Sequence, residues 1–448
     1  MYKVILAFRY LFKKRISYVA FLAVALCVFI VVVVMTVMTG LVTDFKQKNH
    51  NFTGDCVVAS DSLTGFAYYE DFLDILRRQD FVEAVSPVIS SFALISRRGS
   101  DSNFGVEITG IDPVIHSKAT GFGETLRGRK GNISGAFELS RDSNSIGCIL
   151  GIDLALQRDS SGAYDYDNEP MGMALSVTSF PLTPRGALAK AGVGMVNTKT
   201  FYYSDISRSG LARVDGAMVY LPFEQAQLLC MAGAEKRVSR IHIKFKPRVP
   251  LQTGSDKVAA LWQNFTESKS NESLAYLFEN VTVQSWKEHR REFIAVMEKE
   301  QTMMTVMFCL VGITTVFIVF VVFYMIVSHK TKDIGILKSV GVSKAGVVGL
   351  YLGFAFMLGI FGSAGGLGAG WLFLLRINHV EDWLFKNFKF QLWDRTIYAI
   401  GDIPNKVDPT TLAIIVASAI FACLLGAFIP SYNAARLNPV ETLQVNQL

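Results

Sequence analysis

The sequence predicts four transmembrane α-helices carrying a large α+β extracytoplasmic domain between the first two. Three observations predict this class. Residues 16–43, 301–328, 345–375 and 410–435 hold no Asp, Glu, Lys or Arg. Hydrophobic residues make up 51% of the chain and charged residues 18%, with the apolar excess concentrated in those runs. Between the first two runs lie roughly 240 residues in which strand-like segments alternate with helical ones. Crossing a hydrocarbon core of about 30 Å takes about 20 apolar residues in a helix, and each run is long enough.

The first run is longer than the roughly 7–15 residues of a signal-peptide core. It ends in VMTGL, with no small-residue cleavage site, so a retained anchor is expected. Lys3, Arg9, Lys13, Lys14 and Arg15 precede it without an acid. The polar turn between the second and third runs adds four lysines, whereas residues 376–409 balance five basic with five acidic residues. The positive-inside rule then places both termini and the lysine turn in the cytoplasm. The net charge of +6 is mostly this topological signal and does not indicate nucleic-acid binding.

The expected order is a cytoplasmic N-terminus (1–15), span one (16–43), the external domain (44–284), a stalk with span two (285–328), a cytoplasmic turn (329–346), span three (347–375), an outer loop (376–409), span four (410–431) and a tail (432–448). In the external domain, GDCVVAS, VSPVISSFALIS, FGVEITGID, MALSVTSF, KTFYYSDIS, RIHIKFKP and NVTVQSW read as strands. YEDFLDILRRQ reads as a helix, and GCILGIDLALQ and DGAMVYLPFEQAQLLC as strands turning into helices. Another helix is expected over 256–264, and residues 159–170 as a loop. This mixture suits a domain of two lobes.

Ser285 and Glu288 have capping-box spacing, which satisfies the first free amides of a helix. With no proline or glycine before Gly312, one helix from Trp286 to Val327 is expected, roughly 60 Å long at about 1.5 Å per residue, and two helices with a bend near Glu300 fit the same pattern. In span three Gly349 and Gly353 form one row of small residues, and Gly362, Gly366 and Gly370 a second. Such rows let helices approach closely in lipid, within one chain or between subunits.

The chemistry-bearing motifs are missing. No GxxxxGK[ST] loop, HExxH or GxSxG occurs, so no nucleotide-binding or catalytic residue is assigned. The six histidines are scattered, and no metal site is expected. Cys27, Cys309 and Cys423 fall in spans, while Cys56, Cys148 and Cys230 fall outside, which allows at most one bridge among the three. Spans without a charge argue against an ion-coupled carrier. The chain must therefore borrow energy. The turn KTKDIGILKSVGVSKAG places Ile334, Leu337 and Val340 at helical spacing among Lys332, Asp333 and Lys338. An amphipathic helix there would suit docking of a partner, and the same pattern also fits a solvated loop.

KTKDIGILKSVGVSKAGVVGLYLGFAFMLGIFGSAGGLGAG and the closing IPSYNAARLNPVETLQ resemble the FtsX-like permeases of the MacB type. RYLFKKRISYVAF, VMTGLVTDF, VEAVSPVI, ITGIDP, CILGIDLA and VQSWKEHRREFIAVMEKEQTMM resemble the lipoprotein-releasing branch, the LolC and LolE proteins. The resemblance runs nearly end to end and is weakest around 114–146 and 158–172. It implies a bacterial inner-membrane ABC transporter permease that extracts lipoproteins and is not itself an enzyme. A separate LolD-like ATPase subunit would bind ATP and Mg and dock on Lys332, Asp333, Ile334, Leu337, Lys338 and Val340. A second permease chain, identical or related, would complete the transporter. SFPLTPRG, with Phe180, Thr183, Pro184, Arg185 and Gly186, resembles the hook that holds a LolA-like periplasmic carrier chaperone, and the same residues also read as an ordinary proline-glycine turn. Arg185 stands where the family pattern has an apolar residue. The lipoprotein acyl chains would enter from the bilayer against Val33, Val37 and Met38 of span one and Met303, Met304, Met307 and Leu310 of span two. Plain helix packing also accounts for each of these residues. Two other functions fit the same superfamily: a MacB-like efflux permease, and an FtsX-like transmitter that controls a periplasmic partner.

Overall fold

In the computed structural model, residues 15–97, 103–139, 145–158, 164–167, 169–189, 196–232, 235–388, 403–405 and 407–437 are described. Helix α1 (Arg15–Thr53) leads into strands β1 (Cys56–Ser60) and β2 (Phe66–Ala67). Helix α2 (Tyr69–Arg77) precedes β3 (Val82–Arg97) and β4 (Asn103–Ile111). Short helices α3 (Pro113–Ala119) and α4 (Phe122–Thr125) come before β5 (Gly147–Gly151), which turns directly into α5 (Ile152–Ala155). Then follow β6 (Ala174–Ser179), β7 (Asn197–Ser207), α6 (Ala212–Ala217), β8 (Met218–Pro222), α7 (Phe223–Cys230), β9 (Arg237–Val238) and β10 (Arg240–Phe245). Helix α8 (Leu251–Ser268), β11 (Val281–Ser285) and the single turn α9 (Trp286–His289) end the domain strands. The last helices are α10 (Arg291–His329), α11 (Thr331–Ser339), α12 (Lys344–Phe388) and α13 (Pro409–Arg436). The chain divides into two compact units at 43/44 and 295/296.

The large unit is built around β3. Its first half pairs with β10, placing Ser86 opposite His242 and Val88 opposite Arg240. With β1 and β11 this makes an antiparallel sheet in the order β11-β1-β10-β3. The second half of β3 pairs with β4 on one side and β6 on the other. Because β4, β8, β5, β7 and β6 are successive neighbours, the return of β6 to β3 closes a six-stranded barrel. The β4–β8 and β5–β7 pairs are parallel. Closure leaves the barrel strands without a free edge to aggregate.

Each lobe has its own core. The sheet lobe packs Phe66, Phe72, Leu76, Trp262, Phe265 and Phe278 together. Phe72 meets Trp262 edge to face at 4.9 Å, a favoured aromatic geometry. The barrel is filled by Ile89, Ile108, Leu150, Val177, Phe201 and Val219. Cys56 lies in the first core, Cys148 and Cys230 in the second, and all three are free thiols. Burial pushes Cys56 and Cys148 up to about 12, so neither is poised to react.

All four helices long and apolar enough to cross a membrane, among the described residues, are α1, α10, α12 and α13. The second glycine row of α12 sets its approach to α1. A Cβ on Gly366 would stand 2.4 Å from the Ala25 carbonyl oxygen, and one on Gly362 2.8 Å from Val24 Cγ1. Gly359 takes the same part toward α13, where its Cβ would lie 3.1 Å from Ile420 Cα. Gly349 and Gly353 face open space.

Two expectations need correction. The expected single helix from Trp286 is two helices, because Arg290 takes a non-helical conformation (φ −103°, ψ 14°) between α9 and α10. The capping box at Ser285 and Glu288 forms, but it starts only the four-residue α9. The Arg290 guanidinium turns over the Phe52 ring, 4.6 Å from its centroid, instead of following a helix surface. The outer loop expected over 376–409 is helical as far as Phe388. No proline or glycine interrupts that stretch, and Ile377 and Glu381 are buried. Within it, Asn378 holds the Ile403 backbone: Ile403 N–H donates to Asn378 Oδ1 at 2.8 Å.

Candidate docking hairpin and coupling helix

The segment after β6 folds into a small hairpin. Gly186 N–H donates to the Thr183 carbonyl, and Thr183 N–H to the Ala187 carbonyl, each at 2.9 Å. Gly186 has φ +78°, a left-handed conformation that glycine adopts without steric cost. Pro184 sits at the second position of this turn, where its fixed φ is pre-set. Thr183 Oγ1 accepts a further bond from Ala187 N–H at 3.1 Å. Arg185 and Gly186 are exposed, Thr183 and Pro184 half-buried, and Phe180 stands 41% exposed.

The hairpin is tied to the end of α7. Leu182 N–H donates to the Cys230 carbonyl at 3.2 Å, and Ala232 N–H donates to the Leu182 carbonyl at 3.1 Å. Beneath it lies Arg237, fully buried. Sequence reasoning missed this residue. Arg237 and Arg240 look alike in KRVSRIHIKF, and only the packing separates the enclosed one from the half-exposed one.

The turn between α10 and α12 is helical, as α11. A Schellman motif ends it: Gly341 N–H donates to the Lys338 carbonyl and Val342 N–H to the Leu337 carbonyl, each at 3.1 Å, with Gly341 at φ +99°. The six expected contact residues divide. Ile334 is buried and Leu337 half-buried, so this apolar side faces the chain's own helices. Lys332 and Val340 are exposed, and Ile336, absent from the expected set, is 52% exposed. Asp333 pairs with Lys330 one turn away. Lys338 points inward, where Nζ donates to the Ala435 carbonyl at 2.9 Å and the Leu437 carbonyl at 2.5 Å. A lysine on the last carbonyls of α13 satisfies acceptors that the helix leaves free.

Of the residues expected to meet acyl chains, Val33, Val37, Met38 and Met304 are half-buried. Met303, Met307 and Leu310 are exposed and continue into an outward row on α10 through Ile313, Phe317, Val321 and Tyr324.

A polar cavity of about 640 Å³ opens in the large unit beside the end of α1, lined in part by His50, Asn51, Asp55, Glu124, Lys130 and Lys244. His50 Nε2 and Asp55 Oδ1 are 2.7 Å apart. Burial alone would raise the Asp55 carboxyl, but hydrogen bonds with His50 and from Phe245 N–H hold it below the usual range. Nearby, His116 and His242 meet with ring centroids 5.4 Å apart. None of this cluster was singled out from the sequence.

Comparison with known proteins covers both units. Residues 17–261 match the MacB-like periplasmic core domain family, and residues 305–439 match the FtsX-like permease C-terminal family. A relative from Neisseria meningitidis serogroup B, named lipoprotein-releasing system transmembrane protein LolC, is 23% identical over 97% of this chain and 95% of its own. A LolC protein from Xylella fastidiosa is 20% identical over 98% of each chain. The crystal structure of the periplasmic region of MacB from Actinobacillus actinomycetemcomitans aligns with a TM-score of 0.33 at 11% identity, covering 56% of this chain and 97% of that one.

Proposed function

This chain belongs to the MacB-like periplasmic core domain family and is an FtsX-like permease of the LolC/LolE type, and from that membership we propose that it extracts lipoproteins from the inner membrane and passes them to a periplasmic carrier. One observation carries the proposal: the likeness to LolC proteins spans both units and is not confined to the permease half. In this reading a second permease chain, identical or related, and a LolD-like ATPase complete the transporter. ATP and Mg bind that ATPase. Both termini and α11 face the cytoplasm.

The exposed Lys332, Ile336 and Val340 of α11 would meet the ATPase, while Ile334 and Lys338 hold the helix to its own chain. Lipoprotein acyl chains would lie against the outward row of α10, with Met303, Met307 and Leu310 at its head and Val33, Val37, Met38 and Met304 beside it. Thioethers on flexible stems adapt to chains of differing shape. Because α10 runs unbroken from Arg291 to His329, a push at its cytoplasmic end would travel along it. The hairpin at 179–189 would receive the carrier through Phe180, Thr183, Pro184, Arg185 and Gly186.

The test is a release assay in proteoliposomes. The permease, with its partner chain and ATPase, is loaded with a triacylated lipoprotein, then given ATP and the soluble carrier. Transfer to the carrier is expected, and Val340→Asp is expected to abolish it without lowering membrane abundance. ATP turnover with no transfer would refute lipoprotein extraction and favour efflux or signalling across the membrane.

A further inference from the structure

Arg237 donates to three backbone carbonyls from three separate segments. Nη1 reaches the Thr64 oxygen at 2.7 Å, and Nη2 reaches the Leu182 oxygen at 2.7 Å and the Ala232 oxygen at 2.9 Å. Thr64 precedes β2, Leu182 is the inner strand of the hairpin, and Ala232 follows α7. The side chain is 0% exposed. Among the described residues no carboxylate is a hydrogen-bond partner of this side chain, and Nε has no partner there.

Enclosing a cation without an anion is unfavourable, and burial accordingly lowers the pKa of this guanidinium. An apolar side chain of similar size would serve plain packing better. What the guanidinium adds is a rigid planar fork with donors at fixed angles. Its own backbone is pinned as well: Ala67 pairs with Arg237 across β2 and β9, and Gln227 Nε2 donates to the Arg237 carbonyl at 3.3 Å. The fork therefore stands on a fixed base and fixes the hairpin to α7 and to the loop before β2. Leu182 is the point of attachment, since its carbonyl accepts from both Ala232 N–H and Arg237. Three residues further on lies the exposed Arg185 at the turn.

We infer that Arg237 is a positioning residue for the 179–189 hairpin, holding it in the orientation in which it meets the carrier. The carrier part of this inference rests on the function proposed above, and the positioning part does not.

Trypsin separates the two. Cleavage of the Arg185–Gly186 bond needs the hairpin to open, so its rate reports the open population. The protein is the full chain assembled with its partner subunits. With Arg237→Met, cleavage at Arg185 is expected to rise roughly tenfold relative to cleavage after Lys257 in α8. Arg237→Lys, which keeps one donor nitrogen, is expected to give a smaller rise. In the release assay, the carrier concentration giving half-maximal transfer is expected to rise roughly tenfold for Arg237→Met, with maximal ATP turnover unchanged. An unchanged Arg185-to-Lys257 cleavage ratio overturns the inference, and so does an equal acceleration at both sites. If Arg237→Met fails to reach the membrane, the ratio in Arg237→Lys decides in the same way. A raised ratio with unaltered carrier response upholds the positioning role and removes the hairpin from carrier binding.

Discussion

His116 and His242 show how a residue acquires a property that its sequence neighbourhood does not contain. Both are enclosed. His242 Nδ1 donates to the Thr53 carbonyl at 2.7 Å, and His116 Nδ1 bonds Ser86 Oγ at 3.1 Å. Burial drives His242 down to about 4 and His116 well below its ordinary value. Beside them His289 falls to about 3 through burial and the nearby Arg240. The unfolded chain takes up these protons near pH 6.5 and the folded chain only near its lowered values, so stability is present above that pH and is lost as pH falls toward 4. For His242 alone the loss is about 2 kcal/mol at about pH 5. Asp215 works in the opposite sense, since burial raises its carboxyl, but it is one group against three. Thermal unfolding of the full chain should therefore show a Tm several degrees lower at about pH 5 than at about pH 7.5, and His242→Gln should shrink the difference. A Tm that does not change between the two would refute the account. In sequence the histidines are merely scattered. The β10–β3 register, with His242 opposite Ser86, brings them together, and no local pattern encodes that register.

Helices were the most legible elements, and their partners were the least. Apolar length identified all four long helices, because the bilayer sets a length that few buried helices reach. The glycine rows of α12 were visible by spacing, yet spacing does not tell which row meets a helix. The structure separates them. Gly366→Val would drive side-chain atoms into the Ala25 carbonyl, whose oxygen already lies 2.4 Å from an ideal Cβ. It should part α12 from α1 and lower the Tm of the detergent-solubilised protein. Gly353→Ala meets nothing within 4 Å and should raise it slightly, by up to about 1 kcal/mol of helix propensity. Equal effects of the two would show that this row does not set the contact. Helix α11 teaches the same lesson for charge. An amphipathic pattern shows that one face is polar, but Lys338 leaves that face to hold the Ala435 and Leu437 carbonyls. Lys338→Met should cost about 1 kcal/mol or somewhat more by orphaning them. It should weaken coupling of ATP turnover to transfer without removing the exposed Val340, whereas Val340→Asp should weaken ATPase association itself. Co-purification of the ATPase with each variant distinguishes the two losses.

At the scale of the whole large domain, the α+β class and nearly every strand segment could be read from alternation and turn residues, but the pairing could not. Strand β1 lies between β10 and β11, which are far along the chain, and such neighbours are set by long-range register. The 16-residue β3 is the clearest case. Its alternation reads as one long strand, and nothing in it marks the change from sheet to barrel near Ser90. There Ser90 N–H donates to Ser239 Oγ at 2.9 Å, while Ser239 Oγ donates back to the Ser90 carbonyl at 3.1 Å. One strand thus belongs to both cores, and neither lobe can lose it and keep its sheet. The two lobes should therefore unfold together. Phe72→Ala, which empties the centre of the sheet-lobe core, should cost about 3–5 kcal/mol. Amide hydrogen exchange should then accelerate in β5 and β7 of the barrel by the same factor as in β1 and β11. The complementary Phe201→Ala in the barrel core should loosen β1 and β11 in turn. Acceleration confined to the mutated lobe in both variants would mean that β3 is a passive bridge between independently stable halves.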